Sequence, residues 1–291
     1  MDTVVLYANN DLLNNSKVFE PAKTWTDLIN QINRNQLTVI DDRNTIVQAG
    51  VALGTIDNIP HATDLLSLIM MQNGSQMIDE RSQKVHINDA GGLEALNFYT
   101  SFAQPKKSNH SWNTDMANAK QAFLQGKLVY YFGTYADRTE IAASGLNWSA
   151  NQMLHLDARG DNDAISGSQR FIDIADYEVA MVAKSSAVGN SRKSVLAWNL
   201  VYYMSHSGNV GSYLRATNKL SALKKLLAVQ QQDQKKAVFA GQLLTARSWY
   251  HGRDANRADQ ALRALVTGVV NNGTDPKTAL NLAAQQIEAT L

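Results

Sequence analysis

The 291-residue chain contains no cysteine, only 4 prolines and almost no surplus of either charge, with 27 basic against 26 acidic side chains. The absence of cysteine excludes a disulfide scaffold, thiol catalysis, Cys-ligated zinc and iron–sulfur clusters. The formal net charge of +1 argues against nucleic acid as the main partner, because phosphate binding needs a basic surplus or stripe. Hydrophobic residues make up 44% of the chain, which is enough to bury a large core and argues against disorder.

No apolar run is long enough to be a membrane span. The densest one, residues 65–71, is far shorter than the roughly 18 residues that a span requires. The first residues also lack the basic region and the long apolar core of a signal peptide. Taken alone, these features favour a cytosolic protein.

Short strand-like runs separated by longer helical patterns predict an α/β fold that is rich in helix. Residues 3–7, 128–132 and 177–182 are predicted to be strands, because the first two runs are β-branched or aromatic and the third alternates. Thr24 to Asp27 resemble a capping box at a helix start, and Asp275-Pro276 predicts the start of the last helix. Apolar stripes at helical spacing predict further helices around residues 65–70, 93–102, 116–123, 195–202 and 258–269.

Catalytic signatures are scarce. No phosphate loop, dinucleotide-binding fingerprint or nucleophile elbow occurs, and the spacing of the six histidines does not indicate a metal site. Residues 161–163 begin like a calcium loop, but Ser166 stands where that loop needs glycine, so no metal is expected. Ser221 and Lys224 have the S-x-x-K spacing of acyl-serine enzymes without their partner motifs, which favours a helix cap and a solvated lysine. A carboxylate pair for sugar hydrolysis stays open, because acidic residues are plentiful.

Aromatic residues close to predicted loops are typical of a sugar site. Tyr135 follows the strand 128–132, and Trp249 and Tyr250 lie in a polar stretch between two helices. Flat apolar rings stack on sugar faces while polar neighbours bind the hydroxyls. For each ring an ordinary role in the core or as a loop anchor stays open, and Trp198, on an apolar helical stripe, is predicted to be a core residue.

Several segments resemble, in the same order along nearly the whole chain, those of the extracellular solute-binding proteins of ABC importers, specifically the carbohydrate-binding branch. The most specific is AFLQGKLV at 122–129, which is similar to the family's AF-x-x-GK-x-AM. The segment 2–13 resembles its LYYNKDL-like interdomain strand, and PAKTWTDL at 21–28 resembles its P-x-TW-x-EL. One small departure is that Ser221 stands where proline is common. Weaker matches lie at residues 53–59, 72–74, 182–186, 197–198 and 213–217.

The resemblance implies two α/β lobes joined by crossing strands, the periplasmic-binding-protein type II arrangement. Residues 8–170 and 218–291 would form the C-terminal-type lobe. Residues 1–7 and 171–217 would be hinge strands and a remnant of the N-terminal-type lobe. The family begins with an export signal and a first lobe, so the resemblance implies that this chain lacks most of that lobe.

An incomplete first lobe would change the packing around residues 171–217. Trp198, Leu200 and Tyr202 would then be partly exposed, because the surface that they normally pack against is missing. Uncovered apolar faces promote association between chains.

For function, the resemblance implies a binding protein without chemistry, cofactor or metal, which holds a sugar or oligosaccharide in a cleft between the lobes. Its partners would be the membrane permease subunits of an ABC transporter. The protein would be an extracellular or periplasmic monomer, and it would touch the membrane only through a lipid anchor or the permease. A glycoside-active enzyme and a partial fragment without a tight ligand are the alternatives. The predicted cleft residues are Tyr135, Trp249, Tyr250, Arg253, Asn58, His61 and Asp64.

Overall fold

The computed structural model describes residues 1–79, 84–157, 171–183, 191–250 and 252–291. The calcium-loop-like residues 161–163, the expected lobe boundary at residue 170 and part of the motif 182–186 lie outside the described residues. No helix of the described part is long and apolar enough to cross a membrane.

The described residues form ten strands and twelve helices. The strands are β1 (Asp2–Thr3), β2 (Val5–Asn9), β3 (Val39–Ile40), β4 (Ile46–Val51), β5 (Gln76–Ile78), β6 (Val85–His86), β7 (Leu128–Gly133), β8 (Trp148–Asn151), β9 (Asp173–Asp176) and β10 (Ala246–Arg247). The helices are α1 (Asn10–Asn15), α2 (Trp25–Asn35), α3 (Ala62–Gln72), α4 (Ala90–Ser101), α5 (Ala119–Leu124), α6 (Arg138–Ala143), α7 (Ser191–Ser205), α8 (Ser207–Thr217), α9 (Lys224–Gln230), α10 (Ala237–Gln242), α11 (Ala255–Val270) and α12 (Pro276–Glu288).

Five strands form the central sheet in the order β3-β4-β7-β2-β8. Its middle strands β2 and β7 are antiparallel, and every residue in both is buried. The continuous apolar run that predicted β7 is what a strand covered on both faces requires. A smaller sheet has the order β1-β9-β10, and β5 with β6 forms a separate hairpin.

The predicted strand 3–7 belongs to both sheets. Its first residues form β1, which pairs antiparallel with β9, and after Val4 it continues as β2 in the central sheet. The chain therefore crosses from the smaller sheet into the central one at Val4, as an interdomain strand would.

The strand predicted at 177–182 is wrong. The structure places the strand one segment earlier, at Asp173–Asp176, and residues 177–183 have no regular structure. Tyr177, Val179 and Met181 are 55%, 64% and 74% exposed. A strand needs a neighbour to satisfy its backbone groups, and no described strand pairs with these residues.

The predicted helix starts are confirmed. The Thr24 hydroxyl accepts a hydrogen bond from the Asp27 amide at 3.1 Å, and the Asp27 carboxylate accepts one from the Thr24 amide at 3.1 Å. Asp275 caps α12, which has Pro276 in its first turn. The stripe of α3 is buried against α4, with Leu65 and Leu66 at 0% exposure.

Helices α7 and α8 present apolar side chains to solvent. Trp198, Leu200 and Tyr202 are 53%, 58% and 68% exposed. The prediction of Trp198 as a core residue is therefore wrong, whereas the predicted partial exposure of Trp198, Leu200 and Tyr202 is observed. The set of exposed apolar residues, hereafter the α7–α8 surface, is Val195, Leu196, Trp198, Leu200, Tyr202, Tyr203, Met204 and Tyr213.

Candidate functional site

Three adjoining cavities form one groove along β9. The first, of about 360 Å³, lies beside the turn at Tyr135, and a narrow one of about 10 Å³ lies between β1 and Asp64. The third, of about 290 Å³, lies between α3, α11 and the segment that contains Trp249. The carboxylate residue Asp176 lines all three cavities, so they lie next to one another. This β9 groove is bounded by Asp2, Asp64, Tyr135, Asp176, Trp249 and Tyr250.

Tyr135 closes one end of the groove. It is the first residue of a short 3₁₀ turn after β7, and its hydroxyl donates to Asn218 Oδ1 at 3.2 Å. Its ring packs edge-on against Phe239, with centroids 4.9 Å apart, and only 7% of the residue is exposed. Burial raises the pKa of the Tyr135 hydroxyl. Most of the Tyr135 ring is therefore packed inside the protein, and only its small exposed part lines the groove.

Three carboxylates meet in the middle of the groove. Asp2 and Asp176 lie opposite each other in the antiparallel pair of β1 and β9, and Asp64 borders the same cavity. The Asp2 carboxylate accepts hydrogen bonds from the amides of Tyr135 and Ala136, at 2.9 and 3.3 Å. No residue of the described part of the chain donates a hydrogen bond to the Asp176 side chain. Partial desolvation by the surrounding protein and the charge of Asp64 raise the pKa of Asp176 above its ordinary value.

His61 supports Asp64 from the start of α3. It is the N-cap residue, in the left-handed region with φ 59°, and its Nδ1 lies 3.1 Å from Asp64 Oδ2. Burial opposes protonation of the imidazole. The hydrogen bond and the charge of Asp64 outweigh this effect, so the pKa of His61 is raised.

Trp249 and Tyr250 form the other end of the groove. Trp249 is 7% exposed, and its buried Nε1 has no hydrogen-bond acceptor within the described residues. The Tyr250 hydroxyl donates to Thr290 Oγ1 at 2.8 Å and accepts from the Asp254 amide at 2.7 Å. The Tyr250 hydroxyl is therefore committed within the protein, and its ring is the part that faces the groove.

Three predicted residues do not border any of the three cavities, and one of them is His61, which acts only through Asp64. Arg253 is exposed and does not border any of the three cavities. The Asn58 side chain donates to the carbonyls of Asn113 and Met116, at 2.9 and 3.0 Å, and accepts from Trp112 Nε1 at 3.1 Å and from the Thr55 hydroxyl. An amide side chain has two donors and two acceptor sites, so Asn58 has none left for a ligand and holds its own loop together.

Sequence reasoning missed Asp2 and Asp176. The sequence did contain a signal for Asp2, because an acidic residue at the start of a predicted interdomain strand lies close to any cleft between the lobes. For Asp176 the segment DIAD gave no sign of a groove until its partner strands were known. No group of three acidic or histidine side chains in the described part of the chain is arranged to hold a metal ion.

No protein-family model and no curated protein matches this sequence. Solved structures do match. A solute-binding protein of an ABC transporter from Thermotoga lettingae TMO, bound with alpha-D-tagatose, has a TM-score of 0.67 and 17% identity over 99% of this chain and 70% of that chain. An ABC substrate-binding protein from Listeria monocytogenes, in complex with cycloalternan, has a TM-score of 0.69 and 16% identity over 99% and 69%.

A cyclic alpha-maltosyl-1,6-maltose binding protein from Arthrobacter globiformis has a TM-score of 0.72 and 16% identity over 99% of this chain and 70% of that chain. These three neighbours are binding proteins, and each is longer than the present chain. Likeness at such low identity establishes architecture. The chain therefore has the helix-rich α/β fold of the solute-binding proteins of ABC transporters, a fold of the periplasmic-binding-protein kind.

Proposed function

We propose that this chain is the substrate-binding component of an ABC importer and that it binds a sugar or oligosaccharide in the β9 groove without chemistry. The observation that carries the proposal is the arrangement of Tyr135 and Trp249 at opposite ends of one groove, with Asp64 and Asp176 between them. Aromatic rings stack on sugar faces, and carboxylates accept hydrogen bonds from hydroxyl groups. The sugars bound by the structural neighbours support the same class of ligand.

The partners in this proposal are the permease subunits of the transporter, and the place of action is outside the cytoplasmic membrane. The ligand-binding unit is a monomer. In this proposal one lobe consists of residues 8–170 and 218–291, and the other part consists of residues 1–7 and 171–217. The crossing of the chain at Val4 supports a hinge between them, because the groove lies beside Val4. Closure around a ligand at such a hinge is the signal that a permease would detect.

Isothermal titration calorimetry with tagatose, cycloalternan and maltotetraose tests the proposal. Saturable binding of at least one sugar is expected, and Trp249→Phe should weaken it because the indole N–H is lost while an aromatic ring stays. Trp198→Ala is the matched control, since Trp198 is exposed and lies on the α7–α8 surface away from the groove. No binding of any sugar, or equal losses in both variants, would overturn the proposal. Melting curves of each variant check that it is folded.

Hydrolysis of glycosides is a second candidate, because Asp64 and Asp176 share a groove and the pKa of Asp176 is raised by partial desolvation and by Asp64. Glycosidases use one protonated and one ionised carboxyl group. Release of reducing ends from maltotetraose, abolished in Asp176→Asn, would establish this activity and overturn binding without chemistry. Intact maltotetraose after long incubation at a saturating protein concentration would exclude the candidate for that substrate.

A further inference from the structure

The charged side chains of the β9 groove are paired at both of its ends, whereas among the described residues in its middle only Asp64 has a basic partner, His61. At the Tyr135 end, Lys219 Nζ lies 3.2 Å from the Glu178 carboxylate. At the Trp249 end, Arg263 Nε lies 2.7 Å from Asp259. Among the described residues, no lysine or arginine forms an ion pair with Asp2 or Asp176 in the middle.

The fold places like charges face to face at this point. Asp2 and Asp176 are directly opposite residues of an antiparallel pair, so their side chains leave the sheet on the same face. The Asp2 carboxylate is held by main-chain amides, and Asp64 is held by His61. The amino group of Met1 faces the Leu220 carbonyl, at 3.5 Å. Asp176 is therefore the carboxylate left to face a ligand, and it is exposed.

The indole of Trp249 is a second and independent sign of a ligand. The side chain lines the same cavity as Asp64 and Asp176, and it is more than nine-tenths buried. Its Nε1 has no hydrogen-bond partner among the residues that the structure describes. Burying a donor without an acceptor costs free energy, and an oxygen of a bound sugar would remove that cost. The faces of tryptophan and tyrosine also attract cations.

We propose that the β9 groove prefers an amino sugar that carries a protonated amine over its neutral counterparts. The ammonium group lies against Asp176 with Asp2 and Asp64 nearby, while the sugar ring contacts Trp249. This inference rests on the proposed function and defines its ligand class. A neutral sugar can accept the hydrogen bond of the Trp249 indole, but it leaves the negative charges of Asp2 and Asp176 without a cation. The protonated amino sugar supplies that cation and therefore binds more tightly.

Calorimetry with three disaccharides of the same linkage separates the alternatives. They are the glucosamine dimer with free amines, its fully N-acetylated form and cellobiose, each titrated into the full chain at pH 6. The glucosamine dimer is expected to bind about tenfold more tightly than the other two, the gain typical of a hydrogen bond to a charged group. The preference should shrink in high salt, because ionic attraction is screened.

Asp176→Asn should abolish the preference, so that the charged and neutral disaccharides bind this variant with about the same affinity. Asp115→Asn, at an exposed carboxylate outside the groove, is the control and should keep the preference. Equal binding of the charged and neutral disaccharides would overturn the inference while leaving the proposed function intact. Failure of all three to bind, together with the sugars named above, would overturn both.

Discussion

The side-chain amide of Gln242 donates a hydrogen bond to Thr3 Oγ1 at 2.7 Å and another to the carbonyl oxygen of Val4. Its own oxygen accepts from the Met153 amide at 2.8 Å. The Thr3 hydroxyl in turn donates to the Ile174 carbonyl at 2.7 Å. Gln242 is 2% exposed, so this network fixes the end of α10 to the point where the chain crosses between the sheets.

Gln242→Met should lower the free energy of unfolding by about 2–6 kcal/mol. Methionine fills similar space, but the Val4 carbonyl and the Met153 amide lose their partner, and each buried unpaired group costs about 1–3 kcal/mol. Urea denaturation followed by circular dichroism measures the change. Gln152→Met, at an exposed glutamine, is the control, and equal stabilities of the two variants would show that the network contributes nothing.

Asp176→Asn should stabilise the free protein at neutral pH while removing its preference for a charged ligand. The pKa of Asp176 is raised in the folded chain above its ordinary value of 3.8. The ionised group therefore opposes folding at neutral pH. This cost fades as the pH falls through the raised pKa of the folded chain, and it is gone below the ordinary value of 3.8. Relief of a like-charge pair across strands is worth about 0.2–1 kcal/mol.

Thermal unfolding of Asp176→Asn and of the parent chain, at pH 7 and at pH 3.5, measures this effect. Asp176→Asn should be more stable than the parent chain at pH 7, and the difference in stability should be smaller at pH 3.5. A variant that is less stable than the parent at pH 7 would mean that Asp176 has a structural partner and does not face a ligand.

His61→Asn should destabilise the protein below pH 6.5 by about 0.2–1 kcal/mol, the range for a partly exposed ion pair. The pKa of His61 is raised, because the hydrogen bond and charge of Asp64 outweigh the opposing effect of burial. The stabilisation is complete below the unfolded pKa of 6.5 and is lost as the pH rises through the folded value. Asparagine tolerates the left-handed backbone at this position, so the substitution isolates the ion pair.

NMR titration of the imidazole of His61 gives a direct check. Its pKa should fall in Asp64→Asn, and the stability difference between His61→Asn and the parent chain should be smaller at pH 8.5 than at pH 5.5. A difference that is the same at both values of pH would contradict the ion pair.

Local signals in the sequence predict those parts of the fold that depend on neighbouring residues. The capping box at Thr24 and the helix start at Asp275-Pro276 each involve residues within one helical turn. The apolar run at 128–132 predicts a strand buried on both faces without knowledge of its neighbours. Strand β9 depends on partners far away in sequence, β1 and β10. The segment 177–182 has the better strand composition, but it has no such partner among the described strands.

The same distinction applies to the site. Tyr135, Trp249 and Asp64 follow from residue type and from the family resemblance, and the structure brings them to one groove. Asp176 is brought there by its register with β1, which no local pattern encodes. Asn58 is of a residue type that often binds sugar hydroxyls, but its side-chain amide is already used in hydrogen bonds to the loop around residue 113.

The α7–α8 surface should make the protein associate as its concentration rises. Its apolar residues include Leu200 and Tyr202, which are 58% and 68% exposed, and soluble monomers rarely expose large contiguous apolar patches. Leu200→Lys with Tyr202→Lys should shift the protein towards its 32.0 kDa monomer in size-exclusion chromatography with light scattering. The melting temperature should change little, since side chains that are already exposed contribute within about ±0.5 kcal/mol. Val229→Lys, an equally exposed apolar position on α9, should leave association unchanged. A parent chain that is monomeric at every concentration would show that this surface does not drive association.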